Sequence, residues 1–340
     1  MPKDRLSGWL RGTGRRLSQA LGLAVLAVFA LAPEAHADSE LRADEVTFFR
    51  IGTGGTGGIY YPIGMLLAQS LSGAVPRLVA VAEVSNGSVF NVRMIGSGQL
   101  EAGLVQADVA YWAYTGTGVF KGEPAITTLR AVANLYPESV HIVARKDSGI
   151  HSVRDLRGRR VSLDEAASGS IVEARIVLAA YGLAESDLSP EYVKPNLAIE
   201  KMAQGALDAF FFVGGYPAPS IAAYAAAGGA TLVPIDGARA DDVVAHYRFL
   251  TKSVVPAGVY GMRKATPTLE VGAQLLVSAT MPDDVVYRIT RTLWQRETLD
   301  ALARGHPKGG LIRPETALKG IAIPLHPGAE RYYRSVGILP

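Results

Sequence analysis

The glycine-rich segment at residues 48–64, FFRIGTGGTGGIYYPIG, carries the residue types and spacing most suited to chemistry. Gly52, Gly54 and Gly57 spell G-x-G-x-x-G between an apolar run and a helical pattern. Free backbone N–H groups at such a helix start bind phosphate or carboxylate groups. Glu83 ends the next apolar run, where the acidic ribose ligand of a dinucleotide site would lie. The segment therefore indicates either a dinucleotide site or a site for a small anionic solute.

Two further segments have the same design of an apolar run, a small polar turn and a helical pattern. They are SNGSVFN at residues 85–91 and SGSI at residues 168–171. If the three turns lie at the carboxyl ends of parallel strands, they face one crevice. The ligand-binding residues predicted from these turns are Gly55, Thr56, Gly57, Tyr60, Tyr61, Ser88, Asn91, Ser168, Gly169 and Ser170.

Four more candidates come from the ends of other apolar runs. Tyr136 lies beside a predicted crossing between lobes, and Gly214 and Gly215 follow a phenylalanine-rich strand. Gln106, in the segment QADVAYWAYTG, completes the predicted ligand-binding set.

Catalytic chemistry has no positive signal in the chain. The histidines show no H-x-H or H-x-x-x-H spacing, and there is no cysteine, so no metal site is predicted. Neither a G-x-S-x-G nucleophile elbow nor a Walker phosphate loop occurs. We therefore expect a binding protein without catalytic residues, metal or cofactor.

The N-terminal residues 1–37 have the pattern of a cleaved signal peptide. Basic residues precede a 13-residue apolar run at 20–32, and AHA follows at 35–37. Such a run reaches about 20 Å, short of the roughly 30 Å membrane core. The pair Arg15 and Arg16 leaves a twin-arginine signal open. A soluble, periplasmic mature protein is expected.

The charge balance argues against a nucleic-acid partner. Residues 1–37 hold five of the 34 basic and two of the 31 acidic residues, so the mature chain would carry 29 of each. The basic character therefore lies in the leader, and a neutral mature chain lacks the electrostatic footprint of a nucleic-acid binder.

The mature sequence alternates strand-like and helical runs, which predicts an α/β fold. No linker-like stretch separates two halves, so we expect two lobes between which the chain crosses more than once. The predicted division is lobe 1 from residues 38–140 and 255–340, and lobe 2 from residues 141–254, with crossings near 138–144 and 248–260.

The ordered set of motifs resembles the TAXI family of extracytoplasmic solute receptors that serve TRAP-type transporters. The resemblance covers nearly all of the mature chain. Its motifs are RIGTGGTGGIYYPIG, SNGSVFNVRMI, QADVAYWAYTG, LRAVANLYPESVHIVARKDSGIHSVRDLRGRRVSL, GALDAFF and PLHPGAERYYRSVG. One departure is LDEAASGS, where Asp164 and Glu165 stand in place of a glycine-rich approach.

The resemblance implies a two-lobed periplasmic binding fold of type II, with the ligand between the lobes. It also implies a small acidic solute such as glutamate, glutamine or 2-oxoglutarate, and delivery to a TRAP membrane permease. A monomer is expected. Two alternatives stay open: an exported NAD(P)-dependent oxidoreductase that uses the Gly52–Gly57 loop, and a receptor that serves a sensor partner.

Overall fold

The computed structural model describes residues 46–340, and the predicted leader lies outside them. Within this range strands and helices alternate, as the sequence predicts. The strands are β1 (Thr47–Gly52), β2 (Leu78–Glu83), β3 (Ala102–Gln106), β4 (Leu129–Arg145), β5 (Arg160–Ser162), β6 (Ser189–Glu191), β7 (Ala209–Gly214), β8 (Ala230–Leu232), β9 (Thr251–Val255) and β10 (Thr266–Ser278). The α-helices are α1 (Tyr60–Ala74), α2 (Ser88–Gly96), α3 (Ala107–Thr115), α4 (Ser170–Ala180), α5 (Pro195–Ala203), α6 (Pro219–Ala226), α7 (Gly237–His246), α8 (Asp283–Leu293), α9 (Arg296–Gly305) and α10 (Pro327–Ser335).

The strands form one mixed sheet in the order β2-β1-β3-β10-β4-β7-β5-β6, with β8 on β4 and β9 on β10. Strands β1, β2 and β3 are parallel and form a first block, and β5, β6 and β7 are parallel and form a second block. The long strands β4 and β10 lie between the blocks and pair antiparallel with each other and with β3 and β7.

Strand direction explains where a ligand site can form. Strand β4 is antiparallel to β10, which is antiparallel to β3, so β4 runs in the direction of the first block. The second block runs against β4. The blocks are also offset along β4, because the first lies beside its residues 129–136, across β10, and the second beside its residues 139–144. The carboxyl ends of both blocks therefore face the middle of β4, and α/β sheets bind ligands at the carboxyl ends of their strands.

Strand β4 differs from the sequence-based expectation. In the sequence one apolar run ends near Tyr136 and the next begins at Ser139, which indicates two strands, and proline usually interrupts a ladder. In the structure Pro137 lies inside a single 17-residue strand, opposite Gly272 of β10. The ladder shifts register between Ala273 and Gln274, next to this position. A local irregularity thus lets the strand continue past the proline.

The sheet separates two apolar cores. Alternate side chains of β7 belong to different cores: Phe210 and Phe212 to one, Phe211 and Val213 to the other. The first core is completed by α1, α8 and α9, among others, and the second by α2, α3, α4 and α7. No α-helix within residues 46–340 is long and apolar enough to span a membrane.

Candidate functional site

A partly open pocket lies where the carboxyl ends of the two blocks meet, and we call it the cleft pocket. Its volume is about 60 Å³, several times the roughly 10–15 Å³ that one water needs. Its wall includes the turns before α1, α2 and α4, the last residues of β3 and β7, and residues that follow β6. The lining residues are Gly54, Gly55, Gly58, Ile59, Tyr60, Asn86, Gly87, Ser88, Gln106, Glu138, Asp164, Glu165, Ser168, Gly169, Ser170, Lys194, Pro195, Phe212, Val213 and Gly214.

Three helix starts converge on the cleft pocket. Helix α1 begins at Tyr60, α2 at Ser88 and α4 at Ser170, and all three residues line the pocket. The first N–H groups of a helix have no partner within the helix and carry the positive end of its dipole. The pocket can therefore hold an anionic group by backbone donors alone.

The two blocks touch directly around the pocket. The backbone N–H of Phe90 in α2 donates to the carbonyl oxygen of Ala167 at 3.0 Å. A Cβ atom on Gly169 would lie 1.6 Å from Gln106 Oε1 and 2.9 Å from Ser88 Oγ. Gly169 has an ordinary helical φ of −75°, so close approach rather than backbone conformation requires the glycine there.

Gln106 offers the pocket an unused acceptor. Its side chain is 2% exposed, and its Oε1 atom has no hydrogen-bond partner within residues 46–340. Buried polar atoms without a partner are rare, because each forfeits a hydrogen bond that water would provide. A solute in the pocket would supply the missing donor.

Glu138 adds a carboxyl group that stays protonated at neutral pH. Its side chain is buried, and Tyr60 Oη donates to Glu138 Oε2 at 2.7 Å. Burial raises the pKa of Glu138 to about 8, against the lowering effect of the Tyr60 hydrogen bond. Nearby Asp108 raises this pKa further. Glu138 is therefore a neutral hydrogen-bonding group on the pocket wall.

Asp108 and Glu173 form a buried acid pair behind the pocket. Burial raises the pKa of both carboxyl groups, and the neighbouring Asp108 raises that of Glu173 further. Within residues 46–340, Asp108 Oδ2 and the two carboxyl oxygens of Glu173 have no hydrogen-bond partner. Two neighbouring buried carboxyl groups disfavour each other's ionisation, and these two lie in the first turns of α3 and α4.

Asp164 lies on the pocket wall in a strained conformation. Its φ of 71° is in the left-handed region, which glycine favours and which aspartate tolerates better than most residues. Burial raises its pKa to about 6, so it is ionised at neutral pH. Glu165 beside it faces Lys194 at 3.6 Å. The segment LDEAASGS, which departs from the motif pattern of the TAXI family, therefore contributes charged residues to the pocket wall.

The structure brings together eight of the fourteen predicted ligand-binding residues. Those that line the cleft pocket are Gly55, Tyr60, Ser88, Gln106, Ser168, Gly169, Ser170 and Gly214.

The other six predicted residues lie elsewhere. Thr56 is exposed and Tyr61 half-buried, and neither lines the pocket. A Cβ on Gly57 would meet the Asn196 side chain at 2.0 Å, and one on Gly215 would meet Lys308 Cγ at 2.6 Å, so both glycines serve packing.

Asn91 and Tyr136 were also expected to bind ligand. Asn91 ties the first block together, because its Nδ2 donates to the carbonyl oxygens of Gly52, Thr53 and Leu104 at 3.1, 2.8 and 2.8 Å. Tyr136 lines a different pocket, against β4 and β10. Burial raises the pKa of its hydroxyl group, which is close enough to Glu138 for that carboxyl group to raise the pKa further.

Sequence reasoning missed Glu138, Lys194 and Phe212, and it did not single out Asp108 or Glu173. A signal for two of them exists, since Glu138 and Glu173 are single acids within the apolar runs LYPESVHIV and SIVEARIVL. Lys194 and Phe212 have no such signal, because they reach the pocket only through the arrangement of the second block.

The fold and site define a class of protein. The chain has the two-lobed α/β fold of type II periplasmic solute-binding proteins, which confirms the predicted fold class. It matches the NMT1-like family over residues 51–337 and belongs to that family. The expected assignment to the TAXI family is therefore wrong, and the expected TRAP permease, which rested on it, loses its support.

Solved structures with this fold are distant in sequence. PhnD1 from Prochlorococcus marinus in complex with methylphosphonate is 10% identical, with 86% of this chain and 99% of that chain covered and a TM-score of 0.52. A Bordetella bronchiseptica protein is 14% identical, with 85% and 89% covered and a TM-score of 0.50. The alkanesulfonate-binding protein SsuA from Xanthomonas axonopodis pv. citri bound to MOPS is 19% identical, with 86% and 85% covered and a TM-score of 0.47.

The glycine loop does not favour the dinucleotide alternative. Gly54, Gly55 and Gly58 line a pocket of about 60 Å³, far below the roughly 300–1,000 Å³ of ordinary cofactor sites. A Cβ on Gly52 would lie 2.6 Å from Asn91 Oδ1, so that glycine permits packing of α2 on β1. Within residues 46–340 no group of three metal-ligating side chains could hold a metal ion.

Proposed function

We propose that the protein is a periplasmic solute receptor, which holds a small solute in the cleft pocket and delivers it to a membrane import permease. The observation that carries the proposal is the convergence of three helix starts and the unpartnered oxygen of Gln106 on one pocket. The predicted division into residues 38–140 with 255–340 and residues 141–254 is part of this proposal. Opening between these lobes would admit the solute.

The charges of the pocket wall suggest the class of solute. Asp164 and Glu165 are acidic, Glu138 is a third carboxyl group, and Lys194 is the basic residue among the lining residues. A dicarboxylate would place a second negative charge near Asp164, so the glutamate and 2-oxoglutarate class is not favoured. We propose a solute with one anionic group, held by the helix starts, and one ammonium group, held by Asp164.

Binding by matched small molecules tests the receptor function and the solute class together. The panel would be 2-aminoethylphosphonate, taurine and β-alanine against ethylphosphonate, propionate, succinate and ethanolamine, followed by calorimetry and thermal unfolding. A ligand at 100 times its Kd stabilises a protein by about 2.7 kcal/mol. We expect stabilisation by one of the amino-substituted anions. Preference for succinate would overturn the solute class, and no response to a broad metabolite panel would overturn the receptor function.

The Asp164→Asn substitution is expected to weaken binding of the amino-substituted anion about tenfold, which corresponds to loss of about 1.4 kcal/mol. Asparagine has the same shape and tolerates the left-handed conformation of residue 164. Because the pKa of Asp164 is about 6, affinity in the wild-type protein should also fall as the pH drops through 6. Calorimetry from pH 5 to 8 measures both effects, with the ligand's analogue lacking the amino group as the control. Equal weakening of both ligands would contradict a role in ammonium binding.

A further inference from the structure

A second and larger pocket lies against the strands β4 and β10, and we call it the β4–β10 pocket. It encloses about 610 Å³, within the roughly 300–1,000 Å³ of small-molecule sites. Its wall is formed by residues 134–137 of β4, residues 270–272 of β10, the segment at 248–251 before and at the start of β9, and residues in the range 311–322.

The wall of the β4–β10 pocket is held in place by buried side chains of the sheet. Asn134 N–H donates to the carbonyl oxygen of Ala317 at 2.7 Å, and its side-chain amide donates to that of Thr316 at 3.4 Å. Gln274 Nε2 donates to the carbonyl oxygen of Gly320 at 3.1 Å. Two strands thus fix the segment that closes the pocket, so the cavity exists before a ligand arrives.

Positive charge surrounds this pocket. Arg248, Arg313 and Lys319 line it, and within residues 46–340 none of the three has a carboxylate within 4.0 Å. The Arg248 guanidinium lies over the rings of Tyr111 and Phe249, at 4.4 and 4.8 Å from their centroids. Aromatic rings hold that cation without neutralising it.

One acid also lines the pocket, but its carboxylate is engaged on its own sheet. Glu270 accepts a hydrogen bond from Ser253 Oγ at 2.7 Å and one from Thr251 Oγ1 at 3.4 Å. The remaining surface is largely apolar and includes Pro137, Leu311 and Ile321. A wall that carries both cations and apolar side chains is complementary to an anion with an apolar body.

We propose that the β4–β10 pocket is a second small-molecule site, selective for an amphipathic anion that carries one acidic group on an aromatic or alkyl body. This site shares no lining residue with the cleft pocket. The proposal is therefore independent of the solute-receptor function.

Binding of 8-anilino-1-naphthalenesulfonate by the full chain tests this proposal. Its neutral relative N-phenyl-1-naphthylamine has the same rings without the sulfonate and is the matched ligand. We expect the double substitution Arg313→Gln and Lys319→Gln to weaken binding of the sulfonate about tenfold, since each partly exposed ion pair contributes modestly. Binding of the neutral probe should change less than twofold. Fluorescence titration at low and high salt measures both probes.

The control variant removes two cations that lie outside the pocket, Lys121→Gln and Lys264→Gln, and so changes the net charge equally. It should bind the sulfonate like the wild type. Circular dichroism checks that both double variants are folded. The proposal is overturned if the wild type fails to bind the sulfonate, if the two double variants bind it equally, or if the neutral probe loses the same affinity as the sulfonate.

Discussion

Replacing Glu138 with glutamine is expected to stabilise the protein at pH 8 by roughly 3–5 kcal/mol, since each unit of pKa shift corresponds to about 1.4 kcal/mol. The reason is the pKa of about 8 that burial gives this carboxyl group, against an ordinary value of 4.5. Glutamine has nearly the same shape, and its carbonyl oxygen can accept the Tyr60 hydrogen bond. It has no proton to lose.

The sign of this effect follows from proton binding. Between about pH 4.5 and 8 the unfolded chain has lost the Glu138 proton while the folded protein keeps it. The folded state then binds more protons, so the free energy of unfolding falls as the pH rises through this window. The stabilising effect of the substitution should therefore be largest near pH 8 and small near pH 4.5.

Urea denaturation of the wild type and Glu138→Gln from pH 5 to 8.5 measures this effect. The slope of the unfolding free energy against pH should become less negative by the equivalent of about one proton. Some slope should remain, because Asp108 and Glu173 also have raised pKa values. Glu315→Gln, which removes an exposed acid, is the control and should leave the slope unchanged. Parallel curves for wild type and Glu138→Gln would refute the assignment of a protonated Glu138.

The Gly169→Leu substitution is expected to weaken solute binding at least 100-fold, which corresponds to about 2.7 kcal/mol. A side chain at this position would collide with Gln106 Oε1 and press on Ser88 Oγ. Both residues line the cleft pocket, so the turn before α4 could no longer close over it. The helical backbone at Gly169 is unstrained for any residue, so the cost of the substitution comes from the collision, and circular dichroism checks that the variant is folded.

Calorimetry with the best ligand of the panel measures the loss, and two further variants identify its cause. Gly73→Ala places a methyl group in a helix where nothing lies within 4 Å, and it should bind like the wild type. The double variant Gly169→Ala and Gln106→Ala should bind more tightly than the sum of its single substitutions predicts, because the second change removes the collision. Strict additivity, or normal affinity in Gly169→Leu, would contradict an essential close approach at this turn.

Local sequence patterns predict the elements of this fold that are determined by residues close together in the chain. The turns at 85–91 and 168–171 can be recognised from small polar residues that follow an apolar run, and the carboxyl-end rule predicts that the turns meet. The two apolar runs on either side of Pro137 indicate two strands, whereas the continuation of β4 through this position depends on the register of β10.

The site itself was predicted only where backbone donors define it. Glycine and serine turns can be recognised from composition, and Gly55, Ser88 and Ser170 do line the pocket. The raised pKa of Glu138 depends on burial and on Asp108, which lies 30 positions earlier in the chain. Lys194 lines the pocket from the second block, and spacing in the sequence does not indicate that this residue lies close to residues of the first block.

The opposed direction of the two parallel blocks has a consequence for binding in different media. Helix starts from both blocks direct their positive ends into one pocket, while the acidic side chains there are buried and in part neutral. The attraction for an anion then comes from fixed backbone dipoles inside the protein. Dissolved salt screens exposed charges over about 8 Å at physiological ionic strength, but it screens buried charges much less. The affinity of the protein for its solute should therefore be almost the same at low and at high salt concentration.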